Sequence, residues 1–175
     1  LGDVYKRQIT NYVTVNDCAN ILIACGGAPI MSDEIEDVKE ITSICSALNI
    51  NIGTLNHLTI PSMFEAGKIS NKLNHPILLD PVGAGASTYR TNTAKKLIEE
   101  IQFSVIRGNI SEIKALAGNN STTKGVDAIE DCAISLDNID QIVSFAKEFA
   151  KKTNSIIIIT GAKDILSLIH IWRCR

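Results

Sequence analysis

Four short stretches carry the residue types that bind phosphate and metal. The first is Asp80-Pro81-Val82-Gly83-Ala84-Gly85. An acid there follows the apolar run Ile77–Leu79, the proline holds it extended, and glycines let backbone amides approach a ligand. An acid at the end of a buried strand, followed by a glycine turn, is where open α/β sheets bind ligands. The second is Arg107-Gly108-Asn109 with Ser111 and Glu112 behind it, so an amide and a carboxylate stand three apart at a helix start. Gly53-Thr54 and Thr160-Gly161 complete the set. Amides, a guanidinium and carboxylates gathered in one place suit a phosphate-bearing, metal-chelated ligand. Taken singly, each has a bland alternative: an Asp-Pro turn for Asp80, and local capping for Asn109 and Glu112. No G-x-x-x-x-G-K-[ST] stretch is present, and Gly83-Ala-Gly85 lacks the third glycine of a dinucleotide fingerprint.

These stretches need elements to hold them. Thr10–Val15 is expected to be extended, Cys18–Cys25 an apolar helix ended by Gly26-Gly27, and Ala28–Met31 a connection. A second helix capped by Ser32 or Asp33 would carry the stripe Ile35, Val38, Ile41, Cys45 and Leu48. Strands are expected at Ile50–Ile52, Ile77–Leu79, Phe103–Ile106 and Ile156–Ile159. Helices are expected over about 56–73, 91–101, 111–117 and 139–151, with Gly118–Lys124 a polar loop. The last helix would bury Ile139, Ile142, Val143, Ala146 and Phe149. Strand alternating with helix implies an α/β fold, a mostly parallel sheet with helices on both faces. All four chemical stretches would then lie along one edge of it.

The two termini read differently. Asp3-Val4-Tyr5-Lys6-Arg7-Gln8 is encoded by GATGTGTATAAGAGACAG, and the reverse complement of that DNA encodes Leu166-Ser-Leu-Ile-His-Ile171. One DNA element translated on opposite strands at both ends resembles read-through of a sequencing-library adaptor. Residues 1–8 and 166–175 are therefore set aside, leaving residues 9–165 as an internal fragment. Trp172, His170 and Cys174 go with them. The remainder holds 13 basic and 18 acidic residues, which argues against a nucleic-acid or anionic-membrane partner. No apolar run is long enough to span a membrane. Cys18, Cys25, Cys45 and Cys132 show no C-x-x-C spacing and read as buried free thiols of a reducing, cytoplasmic compartment rather than as disulfides or metal ligands.

Several blocks together resemble the hydroxyethylthiazole kinase family of ribokinase-like enzymes. They are Thr10-Asn-Tyr-Val-Thr14, Gly27-Ala-Pro-Ile-Met31-Ser-Asp, Asn51-Ile-Gly-Thr54, Leu79-Asp-Pro-Val-Gly-Ala-Gly-Ala86, Arg107-Gly-Asn-Ile-Ser-Glu112, Lys124-Gly-Val-Asp127 and Thr160-Gly161. They run in order through residues 9–165. The resemblance implies a ribokinase-like fold whose C-terminal part is missing. It also implies phosphorylation of the hydroxyl of 4-methyl-5-(2-hydroxyethyl)thiazole by ATP with Mg²⁺, in thiamine salvage. Asn11, Val13 and Met31 would line the thiazole pocket, with Gly53 beside it. Asp80 and Glu112 would hold Mg²⁺, while Arg107, Thr160 and Asn109 would contact ATP. The family resemblance further implies a homotrimer whose pocket lies between neighbouring subunits.

One departure matters. The resemblance implies a Gly-x-Gly-Cys loop beyond Thr160-Gly161, supplying an anion hole and a cysteine where most ribokinase-like enzymes have an aspartate base. The sequence contains no such stretch, so no catalytic residue is assigned and the chain as written is expected not to transfer phosphate. Three alternatives stay open. A hydroxymethylpyrimidine kinase would share Asp80 and Asn109–Glu112 but should lack the Ala28–Met31 and Asn51–Thr54 blocks. A non-catalytic ligand binder could use the same scaffold, and the reading frame could be an assembly artefact.

Overall fold

A computed structural model describes residues 4–118 and 138–167. The Lys124–Asp127 block, Cys132 and all but the first residue of the expected Gly118–Lys124 loop lie outside these.

The chain runs β1 (Val4–Ile9), α1 (Val15–Ala24), β2 (Gly27–Met31), α2 (Val38–Ile44), β3 (Ala47–Asn51), α3 (Thr59–Lys72) and β4 (Ile77–Asp80). It continues with α4 (Thr88–Glu100), β5 (Val105–Asn109), α5 (Ile110–Ala117), α6 (Ile139–Thr153), β6 (Ile156–Thr160) and β7 (Ile165–Ser167). The strands form one sheet in the order β2-β1-β3-β4-β5-β6-β7. Every pair is parallel except β6 with β7. Because crossovers between parallel strands are right-handed, the outward step from β1 to β2 puts α1 on the face opposite α2–α6. The core lies under that second group, where Ile50, Leu79, Leu97, Ile106, Ile113, Ile142 and Ile157 are fully buried.

The expected α/β alternation holds, with corrections near the N-terminus. Residues 10–14 are not strand: 10 and 11 are irregular, 12–14 are turn and bend, and α1 already starts at Val15. Ala28–Met31 is not a connection: it belongs to edge strand β2, a place that tolerates Pro29 because an edge amide need not join a ladder. The second helix is only Val38–Ile44, and Cys45 is already extended. Of the cysteines expected to be buried, Cys45 is, Cys18 is half-buried and Cys25, just after α1, is exposed. Leu48 sits in β3 opposite Arg7 of β1, so its stripe partner is a strand and not a helical turn.

Residues set aside on the DNA reading are placed in the sheet, with Val4–Gln8 in β1 and Leu166–Ser167 in β7. Arg7 is fully buried. Its guanidinium donates to Val38 O, Thr42 Oγ1 and Ser32 O at 3.1–3.2 Å, while Nε has no partner.

Candidate active site at the carboxyl edge of the sheet

Parallel pairing carries the strand ends to one edge. Met31 stands beside Gln8, Asn51 beside Asp80, and Asn109 beside Thr160. The four chemical stretches lie along this edge, as expected from sequence.

Asp80 closes β4 and is half-buried. Its Oδ2 accepts a hydrogen bond from Asn51 Nδ2 at 2.8 Å and lies 3.5 Å from Arg107 Nη1. Burial pushes its pKa above the ordinary value; the Arg107 charge opposes this, the Glu112 charge adds to it, and the Asn51 bond opposes it. Oδ1 has no hydrogen-bond partner among the described residues. Arg107, on β5, is exposed.

Glu112 lies in the first turn of α5, where a carboxylate is favoured by the helix dipole. Its Oε2 accepts from the Asn109 amide at 2.8 Å and its Oε1 from the Gly83 amide at 2.9 Å. Asn109 Oδ1 in turn accepts from the Glu112 amide, completing a capping box. The bland capping alternative is therefore present in the fold, but the carboxylate does more than cap. It ties the glycine turn after β4 to the start of α5. Gly83 has φ +77° there, a conformation costly for other residues.

The residues expected to line a thiazole pocket divide. Asn11 and Gly53 meet: a Cβ on Gly53 would lie 2.8 Å from Asn11 Cβ. Asn11 Nδ2 donates to Asn51 Oδ1 at 3.1 Å, and its Oδ1 accepts from the Thr14 amide and hydroxyl at 3.0 Å. Met31 is half-buried on edge strand β2. Val13 is 84% exposed and is not assembled with the others within one chain. Thr160 is half-buried at the end of β6.

Sequence reasoning missed two residues that organise the edge. In sequence Asn51 is one residue of the Ile50–Ile52 strand and of the Asn51–Thr54 block; in the fold its amide is buried at a strand end and needs partners. Arg90 escaped notice in the exposed-looking Ser87-Thr-Tyr-Arg90. Its Nη1 donates to Ile52 O at 2.8 Å and Val82 O at 3.0 Å, and its Nη2 donates to Gly53 O at 2.8 Å. One planar fork thus joins the turns after β3 and β4. A third contact latches the outer loops: Tyr12 donates its hydroxyl proton to Asp33 and its amide to Thr54 Oγ1. That bond to Asp33 is the chief reason the Tyr12 phenol is pushed above its ordinary pKa.

No group of three or more potential metal-ligating side chains occurs among the described residues. Two carboxylates near one another still suffice for a cation that keeps its water.

The sheet order and edge site define a ribokinase-like fold. Adenosine kinase from Schistosoma mansoni, solved with adenosine and AMP, shares it at a TM-score of 0.51 and 11% identity, covering 96% of this chain and 60% of that one. Within that class the chain belongs to the hydroxyethylthiazole kinase family, whose sequence model matches residues 5–170. The hydroxyethylthiazole kinase of Clostridium acetobutylicum is 63% identical over 161 residues, covering 92% of this chain and 59% of the relative. That of Clostridium tetani is 55% identical over 160 residues, covering 91% of this chain and 58% of the relative. The solved hydroxyethylthiazole kinase protein of Pyrococcus horikoshii OT3 superposes with a TM-score of 0.80 at 33% identity, covering 94% of this chain and 58% of that one. The chain thus spans less than two thirds of the length of these relatives. No described helix is long and apolar enough to cross a membrane.

Proposed function

We propose that the whole protein is a cytoplasmic kinase that transfers the γ-phosphoryl group of ATP to the hydroxyl of 4-methyl-5-(2-hydroxyethyl)thiazole, in thiamine salvage. The observation that carries this reading is the junction on one sheet edge of an amide cluster, Asn11, Asn51 and Gly53, with the Asp80–Arg107 pair. Family membership supplies the chemistry that the junction would serve.

Asn11, Met31, Val13 and Gly53 form the thiazole side in this reading, and Arg107, Thr160 and Asn109 the nucleotide side. A guanidinium beside the transferred group offsets charge that develops in the loose transition state of phosphoryl transfer. The acids fit Mg²⁺: both offer hard oxygens, and Asp80 Oδ1 is unengaged among the described residues. Each Glu112 oxygen accepts one amide and keeps a further lone pair for a metal-bound water. When bound, Mg²⁺ neutralises phosphate charge. The chain's own part is to hold Asp80 at the strand end and the Gly83 amide against Glu112.

The exposure of Val13 supports a homotrimer in which the pocket is completed by a neighbouring subunit. So does α1, which has no buried residue and leaves Ile21 and Ile23 more than half exposed. Residues 1–8 and 166–175 are read as adaptor-encoded, and residues 9–165 as the kinase part. Arg7, buried on β1 with Nε unpartnered, supports this, because two-faced parallel strands are normally apolar. The DNA flanking the gene tests that reading.

The test of function is ATP consumption by the whole protein with the thiazole alcohol, beside a binding-only control. Mg²⁺-dependent turnover that Asp80→Ala and Glu112→Ala abolish, and Asp127→Ala spares, is expected. Binding of the alcohol without transfer, or equal losses in all three variants, refutes the proposal.

A further inference from the structure

One side chain touches both halves of the site. Asn51, the last residue of β3, is 7% exposed and stands opposite Asp80 on the neighbouring strand. Its Oδ1 accepts from the Gly53 amide at 2.8 Å and from Asn11 Nδ2 at 3.1 Å, while its Nδ2 donates to Asp80 Oδ2 at 2.8 Å. These partners leave no choice of amide orientation. A flipped amide would set its NH₂ against two donors and its oxygen against a carboxylate.

We propose that Asn51 is a positioning residue that sets the turn beside the alcohol with its oxygen and the rotamer of Asp80 with its nitrogen. The inference rests on the functional reading above. The two roles are chemically separable. The acceptor side fixes the turn: a Cβ on Gly53 would lie only 2.9 Å from Asn51 Oδ1, so turn and amide are in close contact. The donor side, together with Arg107, engages Asp80 Oδ2 and so leaves Oδ1 for the cation. The connection is continuous from Thr14 through Asn11 and Asn51 to Asp80 and Arg107. At its centre Asn51 is buried with both amide atoms engaged, which holds its side chain in one geometry.

Asn51→Asp separates the roles, because it keeps an acceptor toward Gly53 and Asn11 but replaces the donor toward Asp80 with a second carboxylate. Thermal unfolding of the whole protein, titrated separately with Mg²⁺-ADP and with the thiazole alcohol, gives the half-maximal stabilising concentration of each. For Asn51→Asp the alcohol value is expected within about twofold of wild type and the Mg²⁺-ADP value to move about tenfold or more, in either direction. Asn51→Ala is expected to raise both about tenfold. Asn71 serves as control: it makes two bonds to the Gln102 backbone away from the site, so Asn71→Ala lowers the melting temperature without changing either concentration. An Asn51→Asp protein whose Mg²⁺-ADP value is unchanged, or whose two values move together, overturns the proposal. A wild type stabilised by Mg²⁺-ADP and not by the alcohol overturns the functional reading alone, and the Asn51→Asp response to Mg²⁺-ADP still decides the role of Asn51.

Discussion

Glu112→Ala should cost stability before any chemistry is considered. Both carboxylate oxygens accept backbone amides, from Gly83 at 2.9 Å and from Asn109 at 2.8 Å. A hydrogen bond to a charged group contributes about 1.5–3 kcal/mol, and a carboxylate in the first helical turn about 0.3–1 kcal/mol more. Asn109 is exposed, so water replaces much of that bond; Gly83 is half-buried and rehydrates less well. The Asn109 side-chain cap survives, since it needs only the backbone of residue 112. The net loss is therefore about 2–4 kcal/mol, or roughly 4–16 °C in melting temperature for a domain of this size. Glu112→Gln keeps one acceptor but turns an NH₂ toward the other amide, so it should recover less than half. Urea denaturation followed by circular dichroism at pH 7 measures all three proteins. A loss below about 0.5 kcal/mol for Glu112→Ala would show that the carboxylate does not brace the glycine turn, and the reasoning would fail.

Asp80 should behave in the opposite way. Burial raises its folded-state pKa, so the folded state binds protons more readily than the unfolded state, and stability falls as pH rises from the ordinary carboxylate value through the raised one. Asp80→Asn should therefore match or exceed wild-type stability at pH 8, with the difference shrinking toward pH 4; urea midpoints at the two pH values check this. Gly53→Ala forces a Cβ to 2.8 Å from Asn11 Cβ and 2.9 Å from Asn51 Oδ1, and should cost about 1–3 kcal/mol with a matching loss of alcohol affinity, read by thermal melts and calorimetry. Arg90→Lys cannot span the Ile52, Val82 and Gly53 carbonyls with one ammonium, and should lose about 1–3 kcal/mol by the same melts.

The sequence by itself determined the layer plan and the edge on which chemistry sits. Apolar runs such as Ile77–Leu79 and Ile156–Ile159, and the turn residues that end them, act through near neighbours in the chain, so their meaning is local. A parallel sheet then carries every strand end to the same side, which is why Asp80, Arg107 and Thr160 group from the residue pattern alone. The tertiary structure decided what depends on partners distant in sequence. β2 became a strand because β1 pairs with it, and Leu48 left the helical stripe because Arg7 stands opposite. With β1 set aside, neither pairing could be inferred. Asn51 and Arg90 have no motif of their own. Their roles arise only when loops 29 and 38 residues away in the chain come within hydrogen-bond range. A hydrogen bond needs a partner at about 3 Å with the right direction, and neither condition is written in the identity of a single residue.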